Sequence, residues 1–218
     1  MEPIQRTFDS LDWITVILFS SLVFIVIAKG VFYNRFMDFI ILPFNNKYIF
    51  MYGKKEKLLN WFQIFVTVFQ IINFSLFIYL VYNIFNQTNN SSSLTFYFTI
   101  LGLLVLFMII KILLQYGNGY VFNSGNVISQ FVFKKLSYLN YSGILMFFFN
   151  VMLCYVFKGS KSIVYLSIVL ILLINVMGWL TALRNHQKFL RANFFYFILY
   201  LCALEIAPFV IIGSYLKD

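Results

Sequence analysis

Long apolar runs separated by short polar or basic stretches set the plan of this chain. Six runs, 13–28, 58–85, 94–114, 138–157, 163–183 and 192–213, approach the roughly 20 apolar residues that carry a helix across about 30 Å of hydrocarbon. A soluble core could not hide that many windows of this kind. Between the first and second runs lies VFYNRFMDFIILPFNNKYIF, residues 31–50, which is apolar and aromatic but interrupted by Arg35, Asp38 and Pro43. It reads as an interfacial or re-entrant segment, because a seventh crossing there would invert the sidedness of everything that follows. The pattern therefore predicts an all-α integral membrane protein, one polytopic domain over 1–218, with about six transmembrane helices plus an interfacial or re-entrant segment after the first.

Composition strengthens this reading. Hydrophobic residues make up 62% and charged residues 11%, against about half and about a quarter in soluble domains. The formal charge of +9 raises nucleic acid as a partner, so the placement of the basic residues matters. Lys29, Arg35, Lys47, Lys54, Lys55 and Lys57 fall in the first connection, Lys111, Lys134 and Lys135 flank the third, and Arg184, Lys188 and Arg191 fall in the fifth, twelve on one side. Arg6, Lys158, Lys161 and Lys217 make four on the other. This alternation follows the positive-inside rule. It places the basic connections in the cytoplasm and both termini on the outer side, and it agrees with six spans. Membrane lipids and partner membrane proteins are the expected partners; no nucleic acid is needed to account for the charge.

The opening MEPIQRTFDSLD carries three acids and one arginine, and the run after it ends in IAKG without a small-x-small cleavage pattern. It is expected to be a retained first span. Cys154 and Cys202 both sit in apolar runs and are expected to be buried free thiols. NQTNNSSS, residues 86–93, holds sequons at Asn86, Asn89 and Asn90 but reads equally as a polar turn between helices. QYGNGYVFNSGNVIS, residues 115–129, lacks the lysine-serine pair of a phosphate loop and is expected to form a cytoplasmic surface loop with a short amphipathic piece.

Candidate chemistry concentrates near the C-terminal end. Glu205 is the only acid inside a predicted span, about thirteen residues into the last one, where an ionised carboxylate costs about 2.5–3.5 kcal/mol on insertion scales. It ties the last helix to Asn73, Asn150, Asn175 or a tyrosine hydroxyl, or it handles a proton or cation, or it meets a partner. Pro208 withholds the N–H that would bond the carbonyl of Leu204, so a kink is expected beside the acid. In LRNHQKFLR, residues 183–191, Arg184, His186, Lys188 and Arg191 form a basic cluster suited to a phosphate, an acidic partner or anionic headgroups. His186 is the only histidine, so neither a histidine metal site nor a serine or cysteine triad has its residues. A dyad of acids within the membrane would need Asp38 as the mate of Glu205. No catalytic set, metal or cofactor is expected.

The C-terminal FFYFILYLCALEIAPFVII, residues 194–212, resembles the signature of an uncharacterised bacterial polytopic inner-membrane family, a domain of unknown function. The core Tyr-Leu-Cys-x-x-Glu-Ile-x-Pro falls on Tyr200, Leu201, Cys202, Glu205, Ile206 and Pro208. Ala207 stands where a branched apolar residue is more usual. The resemblance implies the cytoplasmic membrane of bacteria whose envelopes often carry gliding and type IX secretion machinery, and it implies no activity. Together these readings favour a non-enzymatic subunit or assembly partner of an envelope complex, with a link to type IX secretion or gliding motility as the expected setting. A small proton- or ion-coupled transporter centred on Glu205 is the alternative. A protein acting on lipid-linked substrates at the basic loop is the third.

Overall fold

A computed structural model describes residues 12–45, 47–53, 60–86, 94–121 and 125–185, with the backbone alone for 115–121, 125–128 and 183–185. Helix forms throughout. The long elements are α1 (Asp12–Val31), α4 (Trp61–Asn86), α5 (Leu94–Val121), α6 (Gly125–Val151) and α7 (Lys161–Asn185). A π-helical turn, Met152–Val156, extends α6, and two short helices, α2 (Tyr33–Ile40) and α3 (Lys47–Tyr52), follow α1. Among the described residues there is no strand, and five helices are long and apolar enough to span a bilayer. The protein is an all-α membrane protein of several passes. The expected sixth span, 192–213, lies outside the described residues.

Hydrocarbon offers no partner to a backbone N–H or carbonyl, so only helices and closed barrels span it, and continuous apolar runs of this length, without the short alternating segments of barrel strands, fit the helix. The segment 31–50, expected to be interfacial or re-entrant, is not one spanning helix. With eight residues in α2 and six in α3, at about 1.5 Å rise per residue, neither approaches the thickness of a bilayer. Phe32 and the turn through Leu42 to Asn45 break the run, and Pro43 lies in that turn. The segment 115–129 corrects the sequence reading. Expected as a surface loop, it is mostly helix, since α5 continues to Val121 and α6 opens at Gly125. Both spans project past their apolar stretches as polar helical ends, which keeps the backbone hydrogen-bonded where apolar burial has ceased.

The central helix is α6, which packs against α4, α5 and α7, while α1 covers the other side of α4. Residue pairing fixes the directions. Thr67 bonds Asn140, and Asn150 bonds the backbone of Asn73, so α4 and α6 run parallel. Tyr138 meets Thr181, so α7 runs against α6. Trp13 packs on Tyr79 at 5.1 Å while Phe32 packs on Phe62 at 6.1 Å, so α1 runs against α4. By the same test α5 is antiparallel to α4, with Tyr82 on Phe96 at 4.9 Å. This topology brings Lys29, Arg35, Lys47, Lys111, Lys134 and Lys135 to one end of the bundle and leaves Lys158 and Lys161 at the other.

Close helix approach depends on small residues. A Cβ at Gly143 would lie 2.8 Å from Gln70 Cβ and 2.9 Å from its Cα, and one at Gly178 would lie 2.6 Å from Tyr138 Cβ. These two glycines set the α4–α6 and α6–α7 spacings, as small residues commonly do where lipid removes the hydrophobic drive for helix association.

Candidate functional site

Two polar features interrupt the apolar interior. The first is a seam between α4 and α6. Gln63, Thr67, Gln70 and Asn73 recur every three or four residues on α4, which places them on one stripe, and Asn140, Gly143 and Asn150 face it from α6. Asn140 Nδ2 donates to Thr67 Oγ1 at 3.0 Å, and the Thr67 hydroxyl donates back to Asn140 Oδ1 at 3.3 Å. Asn150 Nδ2 donates to the Asn73 carbonyl at 2.9 Å, and Asn73 Nδ2 to the Phe69 carbonyl at 2.8 Å. Gln70 Oε1, Asn73 Oδ1 and Asn150 Oδ1 are buried and accept no hydrogen bond from the described residues. Hydrogen bonds across membrane helices contribute about 0.6 kcal/mol on average and up to about 1.7. The seam therefore fastens two helices, and its closed centre at Gly143 leaves no gap between their backbones.

The second feature is the basic end. Arg35 is buried at 6% exposure because α3 and α4 enclose it: its guanidinium carbon lies 4.6 Å from the centre of the Tyr52 ring and 5.2 Å from that of Phe62. Cation–π contact of this kind grows stronger as water is removed. Tyr48 donates its hydroxyl to Gln63 Oε1 at 3.2 Å, so the interfacial segment is joined to the start of the seam. Lys47 Nζ stands 3.0 Å from Asp38 Oδ1, which closes the α2–α3 turn. Asp38 is thus held by a neighbouring lysine at the end of the bundle, away from the depth expected for Glu205.

Further along the same end, α6 and α7 bring Lys135 and Trp179 together, and α5 carries Lys111 beside its own Phe107. Lys135 Nζ lies 4.7 Å from the centre of the Trp179 ring, and Lys111 Nζ lies 5.6 Å from that of Phe107. In the sequence these lysines serve only to set topology. The one signal for more is that Lys111 interrupts a run, 94–114, with no other charge, one helical turn after Phe107.

The predicted candidates fall largely beyond this. Glu205, Pro208, His186, Lys188, Arg191 and Cys202 lie outside the described residues. Arg184 belongs to the last turn of α7, where only the backbone is described. Of the proposed mates of Glu205, Asn150 Nδ2 donates to the Asn73 backbone carbonyl, while Asn73 Nδ2 and Asn175 Nδ2 donate to the Phe69 and Ile171 carbonyls of their own helices. Cys154 is a buried free thiol. Among the described residues no three histidine, cysteine, aspartate or glutamate side chains cluster.

The family signature seen near Glu205 extends over nearly the whole chain: the sequence model of DUF4271, a domain of unknown function, matches residues 14–216. The chain belongs to the DUF4271 family. No curated protein and no solved structure matches it. The DUF4271 match takes in the seam, the basic end and the predicted last span together, so all three belong to one family domain. It assigns none of them an activity.

Proposed function

We propose that this DUF4271 protein is a non-enzymatic subunit or assembly partner of a complex in the bacterial cytoplasmic membrane, with its basic end in the cytoplasm. The observation that carries the reading is the closed α4–α6 seam. Polar residues that in a transporter would line a path are used here to lock two parallel helices together, at a backbone separation too small for a solute to pass. Beside the seam, α5 leaves a long apolar face turned outward. In the α5 span only 6% of the positions are buried, and Phe98, Leu103, Leu106, Ile109 and Leu113 are exposed along it. Such faces suit lipid and neighbouring membrane helices alike. An envelope complex for secretion or gliding motility is the finer assignment, and it rests on the family resemblance.

Purification of the full chain from its own membranes in a mild detergent tests this. A membrane protein in fixed ratio with the chain through successive columns is the expected result. A chain that consistently elutes alone, at the size of its own oligomer, overturns the proposal.

A further inference from the structure

We propose that the predicted last span, 192–213, docks antiparallel on an outward stripe of α7, where Glu205 pairs with the side-chain amide of Asn175. The span itself lies outside the described residues; the surface that fits it does not. On α7, Ile168, Leu172, Asn175 and Trp179 recur at intervals of four, three and four, which sets them on one face. Ile168 and Leu172 are exposed, and Asn175 and Trp179 are half-buried. Asn175 is the one amide in this stripe. Its Nδ2 donates to the Ile171 carbonyl of its own helix, and its Oδ1 accepts nothing from the described residues. Unlike the amide oxygens of the seam, that Oδ1 is not enclosed. An amide oxygen turned toward hydrocarbon has lost water without gaining a donor, which costs free energy until a donor arrives.

The length of the connection limits where the last span can sit. α7 ends at Asn185 and the span opens at 192, which leaves the six residues 186–191. Fully extended, they reach about 20 Å, or about two of the 8–10 Å distances between packed helices. Within that reach α6 is already packed on α4, α5 and α7, and α5 has no polar side chain between Thr99 and Lys111. The Asn73 and Asn150 oxygens are enclosed in the seam. α7 leaves most of its span turned outward and offers Asn175. The register agrees. Glu205 is thirteen residues beyond 192 and Leu172 thirteen before Asn185, so the two lie opposite in an antiparallel pair, with Asn175 one turn, about 4.5 Å, nearer the connection. Each Cα–Cβ bond tilts toward the N-terminus of its own helix, so Glu205 leans toward the connection and Asn175 away from it. The offset closes. As the neutral acid, Glu205 donates its O–H to Asn175 Oδ1, and its carbonyl accepts the second N–H of Nδ2. Each group thereby relieves the other of an unpaired position in hydrocarbon.

The test uses the full chain in its own membranes, with Cys154→Ser and Cys202→Ser. Ile168→Cys and Phe209→Cys then place one cysteine on each wall, one turn outward of Leu172 and Glu205. Oxidation with copper phenanthroline is expected to join them within one chain and so to block later labelling by PEG-maleimide. Leu103→Cys, on the outward side of α5, is expected to form no link with Phe209→Cys. A link to Leu103→Cys, a link between two chains, or no link at all overturns the docking. Melting midpoints in one detergent read the contact itself. Glu205→Ala and Asn175→Ala are each expected to lower the midpoint by roughly 2–5 °C, and the double variant no further than the larger single loss. Glu205→Gln is expected to retain the midpoint, because its amide also donates to Oδ1. Additive losses overturn the pairing. Should an alanine variant fail to fold, the cysteine link, made with Glu205 and Asn175 both in place, decides.

Discussion

At the scale of single residues, Gly143 and Gly178 position helices, whereas Gly102 merely occupies one. Gly143 meets Gln70 across α4–α6 and Gly178 meets Tyr138 across α6–α7, both at distances a Cβ cannot share. The obstruction at Gly143 is backbone and the base of a side chain, so rotamer change gives little relief. Gly143→Ala is expected to lower stability by about 1–3 kcal/mol, the range for overpacked sites, and Gly178→Ala to do the same, since the nearest obstruction, Tyr138 Cβ, does not move when the ring turns. Gly102 has nothing within 4 Å of its would-be Cβ, and Gly102→Ala is expected to be neutral or stabilising by up to about 1 kcal/mol through helix propensity. Melting midpoints of the three variants in one detergent check the order. Equal midpoints for Gly143→Ala and Gly102→Ala would show that the α4–α6 contact is not close.

At the scale of elements, the segment α2–α3 shows how far the sequence could be read. Its interruption by Arg35, Asp38 and Pro43 marks it as no span, and each interruption has a structural counterpart: a cation between aromatic rings, an ion pair and a turn. Its depth of attachment was not legible, because it depends on rings brought from α4 and α6. Phe39 is fully buried, with Tyr48, Phe62 and Tyr141 ring centres at 5.6, 5.8 and 5.9 Å. Phe39→Ala is expected to cost about 3–5 kcal/mol and to raise hydrogen exchange across Tyr33–Tyr52 far more than in α5, which does not touch it. Uniform loss of protection would mean that the segment is integral to the bundle and not a docked piece. The helical character of 115–129 was hidden for the opposite reason. Glycine, asparagine and serine favour turns, and only continuation of two strongly apolar helices overrides them. The seam was invisible as a unit: its amides are scattered between two helices separated by a third, and only their matched register makes them one feature.

At the scale of the whole molecule, sidedness follows from topology and charge together. Antiparallel and parallel packing gathers Lys29, Arg35, Lys47, Lys111, Lys134 and Lys135 at one end, whatever the direction of insertion. Lysine and arginine bias predicts that this end faces the cytoplasm, where anionic lipid would contribute about 1 kcal/mol per basic residue near the surface. Exposed positions at each end make this measurable. Asn45 lies in the turn after α2, and Lys158 lies between the π-helical turn and α7; both are exposed. In a chain with Cys154→Ser and Cys202→Ser, Lys158→Cys is expected to react with a membrane-impermeant maleimide on intact spheroplasts. Asn45→Cys is expected to react only after the membrane is opened. The reverse pattern would place the basic end outside. Labelling of both positions in intact cells would break the antiparallel order of α1 through α7, because an odd number of crossings, α4, α5 and α6, separates the two residues.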